Sequence, residues 1–298
     1  MRISVLRYFQ NLRVLRGLLL FGIIFISNAC ENIYEEPTDN VDVASDLALN
    51  IHAPIGLFEM VQHVSDELLS RGLFQQNATG LAQEIGAQIR LIDSVFSDDD
   101  SVIYEINFGS NIPSSFDLKQ RIGQIQVVVY VDYTEVGSVQ KVSIDEQKPY
   151  QVILNNGFTQ TIRGSFQMVK TSDQGQRFLL DSLSLMNSEN PEIQYNGSGY
   201  LEFKSISGQS TPGLKGDMLE IQGEGKFFAQ QQILNWEIIL PLRMRYEFGC
   251  SEYAHKGMIR LLTVLDRYTI DYDPFGTGAC NRIIKITKGG NQFEVVLP

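Results

Sequence analysis

The stretch Ile233–Phe248, ILNWEIILPLRMRYEF, changes character at every second residue. Leu234, Trp236, Ile238, Leu240, Leu242, Met244, Tyr246 and Phe248 share one phase, and Asn235, Glu237, Arg243, Arg245 and Glu247 fall in the other. A period of two sends successive side chains to opposite faces of an extended chain, so the run predicts a β-strand with one face for a core and one for solvent. It is long for a strand. Pro241 in its middle has no amide to give to a ladder, which predicts a bulge, a break or an edge there.

The same period recurs outward from this run. Val102, Tyr104, Ile106 and Phe108 form one set, Ile125, Val127, Val129 and Val131 a second, and Phe158, Ile162, Phe166 and Met168 a third. Asn155-Asn156-Gly157 and Gly289-Gly290-Asn291 stand between such runs, as tight hairpin turns do. Long strands joined in chain order predict a mainly β fold. The expected form is an antiparallel meander over residues 98–298, either a sandwich or a strongly curved sheet.

Upstream the period lengthens. Ile55, Phe58, Val61, Val64 and Leu68 recur at steps of three and four, and a weaker stripe runs through Leu81, Ile85, Ile89 and Ile92. These spacings predict a helical segment over residues 51–97 that forms a small cap packing on the sheet. Residues 30–50 are acidic and read as a solvated tether.

Residues 1–29 read as an export signal. Arg2, Arg7, Arg13 and Arg16 precede an apolar run, Leu18–Ile26, which closes on Ser27-Asn28-Ala29-Cys30. A basic start, a short apolar core and small residues before a cut have that meaning, and the run is about half of the roughly 20 residues that a spanning helix needs. The chain carries a formal net charge of −11. Such a chain repels phosphate backbones and anionic lipid, so no nucleic-acid partner is expected and no basic patch is expected to hold it to a membrane. Of three cysteines, Cys30 sits at the cut. Cys250 and Cys280 remain for one disulfide in an oxidising compartment, with two reduced, buried thiols as the alternative.

The Ser27–Cys30 segment resembles the lipobox of bacterial lipoproteins. That resemblance implies a diacylglyceryl thioether on Cys30 and an acylated, palmitate-type amino terminus, whose methylenes contribute about 0.8 kcal/mol each on burial. The body resembles Bacteroidota lipoproteins whose function is not established. The residues that carry this likeness are Ile106-Asn107-Phe108-Gly109, Arg121-Ile122-Gly123-Gln124-Ile125, Pro241-Leu242 through Cys250, and Asp271-Tyr272 through Cys280-Asn281. The family pattern has an acid where Asn107 stands, a shorter last turn than Pro274-Phe275 allows, and an Asp before the position of Asn281. The resemblance implies an outer-membrane, lipid-anchored domain on the periplasmic or surface face, and no particular reaction.

Motifs for chemistry are sparse. His52, His63 and His255 have no ligand spacing, and no G-x-S-x-G or phosphate-cradling loop occurs. Asp271 and Asp273 begin like a calcium loop. Phe275 and Arg282 then stand where ligands belong, so the pair is a weak metal candidate and no cofactor is expected. Tyr130, Tyr133, Tyr150, Tyr195, Tyr200, Tyr246, Tyr253 and Tyr272 offer rings for a stacking surface or for core rims. The expected function is a non-enzymatic envelope module, held to the membrane through Cys30, that binds a glycan, a protein or a hydrophobic ligand. Two alternatives stay open. One is a carrier that encloses a lipid between sheet and helices, and the other a glycan hydrolase working with two carboxylates.

Overall fold

The computed structural model describes residues 41–70, 78–93, 101–109, 113–115, 117–130, 135–154, 156–191, 193–207, 218–245 and 253–298. The amino-terminal leader, Cys30 and residues 31–40 lie outside them, as does Cys250.

The helices come first: α1 (Val41–Asn50), α2 (His52–Ser65) running into a π-helical turn (Asp66–Ser70), and α3 (Thr79–Ile85). The strands follow. The first group is β1 (Gln88–Asp93), β2 (Ser101–Phe108), β3 (Gln120–Tyr130), β4 (Val139–Ile144), β5 (Tyr150–Ile153), β6 (Thr159–Arg163) and β7 (Ser165–Ser172). Then come the long strands β8 (Gly175–Asn187), β9 (Tyr195–Ser207), β10 (Met218–Ala229) and β11 (Gln232–Arg245). The shorter β12 (Lys256–Leu262), β13 (Arg267–Asp271), β14 (Ile283–Lys288) and β15 (Asn291–Val296) close the chain.

All of them join one 15-stranded sheet, ordered as a meander from β1 to β15 with β5 and β6 inserted between β3 and β8. Every described pairing is antiparallel. The mainly β fold is therefore as the alternation predicts, and of the two expected forms it is the curved single sheet. Curvature is written into the breaks. β6 and β7 are two halves of one ribbon that bends at Gly164, where φ is 98° and an added Cβ would lie 2.0 Å from the Ser182 carbonyl oxygen. Only glycine fits a backbone approach that close.

The sheet curls round the helices. Phe58 of α2 stacks on Phe203 of β9 at 3.8 Å and meets Phe178 of β8 edge-on. Ser65, at the far end of α2, reaches Tyr104 on β2 and Gln140 on β4. The α1–α2 junction touches Tyr272 just past β13. Strands from opposite ends of the meander thus close on one helical rod. Every residue of α2 except Gly56 is buried, so the expected cap is an enclosed helix packed on the sheet.

Two boundaries differ from the sequence reading. Residues 41–50 of the expected tether are helix, with Ala44, Asp46, Leu47, Ala48 and Leu49 buried. Asp46 stays inside because it has donors there, as described below. The stripe Leu81–Ile92 also splits. α3 ends at Gly86, whose φ of 68° gives a left-handed cap, and Gln88–Asp93 continues as strand β1. Ile85, Ile89 and Ile92 happen to fall at helical steps, but Ile89 and Leu91 face inward with a period of two while Ile92 is 46 % exposed. The β body therefore begins at residue 88 and not at 98.

β11 carries the expected alternation, with Leu234, Trp236, Ile238, Leu242 and Met244 buried. Its pairing with β12 slips on either side of Leu240, next to Pro241, and Leu240 is half exposed although it is in phase with the core. Missing one amide, the proline places the irregularity there.

Candidate functional site

Polar side chains on the enclosed helices are fastened to their surroundings at several points. Near the start of the rod, the Asp46 carboxylate accepts from Asn190 Nδ2 at 2.8 and 2.9 Å and from the Tyr195 hydroxyl at 2.9 Å. At the α1–α2 junction His52 Nδ1 donates to the Ala48 carbonyl at 2.7 Å, and His52 Nε2 accepts the Ala254 amide at 3.0 Å. These partners fix the neutral tautomer, and Tyr253 and Tyr272 flank the ring edge-on. Burial holds the imidazole down at about 4, against the raising effect of the Ala48 carbonyl, with Lys119 lowering it further. At the other end the Ser65 hydroxyl lies 2.6 Å from both Tyr104 Oη and Gln140 Oε1, and burial raises the Tyr104 phenol.

A fourth cluster lies at the foot of β3. Arg121 grips Asp117 through both guanidinium nitrogens and donates through Nε to Tyr150 Oη at 2.9 Å. Burial by itself would raise the Asp117 carboxyl, but the Arg121 charge and hydrogen bonds override it and bring it down to about 2. Beside this cluster His52, Lys119, Arg121, Gln160 and Tyr253 border an internal cavity of about 20 Å³, which has room for a single water. These groups answer one another inside a packed interior. Among the described residues their hydrogen bonds go to one another and to backbone, which is the chemistry of fastening.

The open space lies on the other face of the sheet. Outward side chains of β9 to β12, among them Tyr200, Glu224, Lys226, Asn235, Glu237 and Arg260, surround a groove of about 470 Å³. The register explains it. Gly199, Gly225 and Trp236 pair across three strands, and an added Cβ on Gly225 would meet the indole at 2.7 Å. The glycines face inward with Trp236, and their missing side chains make room for the buried indole against the sheet behind the groove. Glu224 and Glu237 are directly opposed. Arg260 is bound to Glu237, whereas no described hydrogen bond or ion pair engages Glu224. Tyr200 is covered by the Arg177 guanidinium at 5.3 Å. A second hollow of about 380 Å³ follows further along the same strands, where Glu202, Lys204, Glu220 and Gln222 project. Mixed charge, amide and phenol groups along the groove suit a polar ligand that lies across the strands.

The residues marked in the sequence fall elsewhere. Asp271 accepts the Asp273 amide at 2.9 Å, and Asp273 accepts those of Thr277 and Gly278 at 2.9 to 3.1 Å. Both carboxylates thus shape a turn by binding backbone amides, as aspartate commonly does. Among the described residues no three His, Cys, Asp or Glu groups converge as metal ligands. Cys280 is exposed at the end of this turn and is disulfide-bonded; the other two cysteines lie outside the described residues. His255 is buried, and burial, followed by Arg245, lowers its titration. Of the tyrosines, Tyr150, Tyr195, Tyr253 and Tyr272 are buried in the core, and among the described members of the set Tyr200 borders the groove. Tyr133 and Tyr246 fall outside the described residues. The groove itself escaped the sequence reading. Its signal was the pair of alternate glycines, Gly197/Gly199 and Gly223/Gly225, two residues apart on adjacent strands.

No protein-family model, curated protein or solved structure matches this chain.

Proposed function

We propose that this chain is a non-enzymatic envelope lipoprotein, anchored in the outer membrane through acylated Cys30, whose β body binds a polar ligand in the outer-face groove of β9–β12. The observation that carries the reading is the distribution of space among the described residues: α2 is buried and its Phe58 stacks on Phe203, while hollows of about 470 and 380 Å³ open on the outer face. That distribution weighs against an enclosed lipid cargo. It favours a glycan or an extended peptide, which can lie along strands and use Tyr200, Asn235 and the alternating charges. Cys250 is the partner proposed for Cys280, closing the last third of the chain.

The groove brings its own reporter, since Trp236 is the chain's one tryptophan. Titrating oligosaccharides and short peptides against the full chain should give a saturable change in its fluorescence for one ligand class, lost in Tyr200→Ala, with the ligand recovered intact. A second reading rests on the opposed Glu224 and Glu237, the pair a glycan hydrolase would use. New reducing ends that vanish in Glu224→Gln would establish that reading and end the non-enzymatic one.

A further inference from the structure

Immediately beside the groove the sheet ends in two neighbouring hairpins, β10–β11 and β12–β13; the second has an apolar tip, and the first carries an apolar pair just behind its Gln230-Gln231 turn. Phe228 and Ile233 pair across the first hairpin and project outward, 49 and 51 % exposed. Asn235 of β11 pairs with Leu262 of β12; continuing that register by two residues brings Ile233 level with Val264. Val264 and Leu265 form the second tip at 81 and 84 % exposure, and Leu262 behind them is 38 % exposed. Five large apolar side chains on one rim form more than scattered surface hydrophobics, and a contiguous patch of this kind marks an interaction surface.

What covers the rim is indicated by the row behind it. Lys226, Asn235, Leu262 and Arg267 lie in register across β10 to β13, all on the outer face and all exposed. Lys226 and Arg267 take part in no described ion pair or hydrogen bond. Asp266, the acid of the second tip, is held by Lys288 at 3.3 Å and by the Tyr268 hydroxyl. In a chain of net charge −11, this edge alternates an apolar front with unengaged cations one row back. Those two layers match an acyl-chain boundary and the phosphates just above it. The shape agrees. A partner protein is usually met by aromatic and arginine anchors seated in pockets, whereas here four aliphatic side chains and Phe228 protrude, and Leu262 is the one of the five that borders the groove.

We infer that the β10–β11 and β12–β13 tips rest in a phospholipid surface, with Lys226 and Arg267 at the level of the phosphates. The rim supplies the binding and the cations orient it, because the acidic body as a whole is repelled by anionic lipid. This is a membrane contact of the folded body, separate from any lipid on Cys30 and independent of what the groove binds. It would hold the groove mouth at headgroup height.

The test uses the full chain reconstituted in vesicles of phosphatidylcholine and phosphatidylethanolamine, with and without brominated acyl chains. Two variants add a tryptophan to the buried Trp236 background. Leu265→Trp places it at the tip. Val136→Trp places it at another exposed apolar site (60 %, against 84 % for Leu265) by the β3–β4 hairpin, at the other end of the strands. Bromolipid should quench most of the added emission of Leu265→Trp and leave that of Val136→Trp unchanged. Equal quenching of the two, or none, overturns the inference, because the amino-terminal anchor alone would then hold the chain. An emission change in Leu265→Trp that follows protein concentration and not bromolipid also overturns it, and assigns the rim to a second copy of the chain. Far-UV circular dichroism confirms that both variants are folded, as substitutions at exposed turns should be.

Discussion

Replacing His52 by glutamine should flatten the acid limb of the stability curve. Buried between Ala48 and Ala254, the imidazole is neutral in the folded protein and resists protonation down to about 4. In the unfolded chain it titrates near 6.5. Between those values the unfolded state binds more protons, so acid draws the equilibrium toward it; the stabilisation is intact above about pH 6.5 and is lost as pH falls toward 4. Proton linkage over this interval is worth about 2 kcal/mol between pH 7 and pH 5, and about 3 kcal/mol once pH reaches 4. Urea unfolding at a series of pH values, for the native chain and for His52→Gln, isolates the effect, since all other titrating groups are common to both. The native chain should lose about 2 kcal/mol more than the variant between pH 7 and pH 5. Parallel pH profiles would refute the reasoning, and so would an NMR titration of His52 with a midpoint near 6.5.

Asp117→Ala leaves the Arg121 guanidinium buried with only Tyr150 and the Lys119 carbonyl beside it. The expected loss is about 3–5 kcal/mol, read by chemical denaturation, whereas removing the exposed partner Glu202 of Arg177 should cost less than about 1 kcal/mol. A non-reduced peptide map should recover Cys250 and Cys280 in one linked fragment; reduction should then lower stability by about 3–4 kcal/mol, the figure for closing a loop of about 30 residues. Free thiols at both positions would end that assignment. Cys30→Ser should move the protein from the membrane fraction to the soluble fraction after cell lysis, unless the hairpin rim alone retains it, which added Val264→Asp and Leu265→Asp would reveal.

Much of the sheet was legible because alternation is local. The pattern of β11 needs no knowledge of its neighbours, and Pro241 announces its own irregularity. The helices were less so. Acids at positions 42 and 46 suggest solvent, and the reason Asp46 is buried, its bonds to Asn190 and Tyr195, lies more than a hundred residues downstream. The burial of the polar side chains of α2 is not written in its own sequence, because the partners of Ser65 and His52 lie far along the chain. Ile85, Ile89 and Ile92 mimic a helical stripe across a cap that only the left-handed Gly86 betrays. The groove is a product of register. Gly199, Gly225 and Trp236 become neighbours only once three strands are aligned, and no single segment carries that alignment.

The enclosure of α2 also sets the order of assembly. A rod made from residues 41–65 is sealed by contacts to Ala254 and Tyr272, with sequence separations of 202 and 224 residues. Topologies dominated by such distant contacts fold slowly, because the closing entropy of long loops comes due before the contacts that offset it. The first helices must therefore wait, with their apolar sides uncovered, until β12 and β13 exist. An export route that keeps the chain extended until it is complete suits such a molecule, and growth from the amino terminus does not lock it in stages. Chains stopped before residue 253 should accordingly leave α2 open to protease, while full-length chains protect it; protection of α2 in the shortened chains would show that the remaining strands suffice to seal the rod.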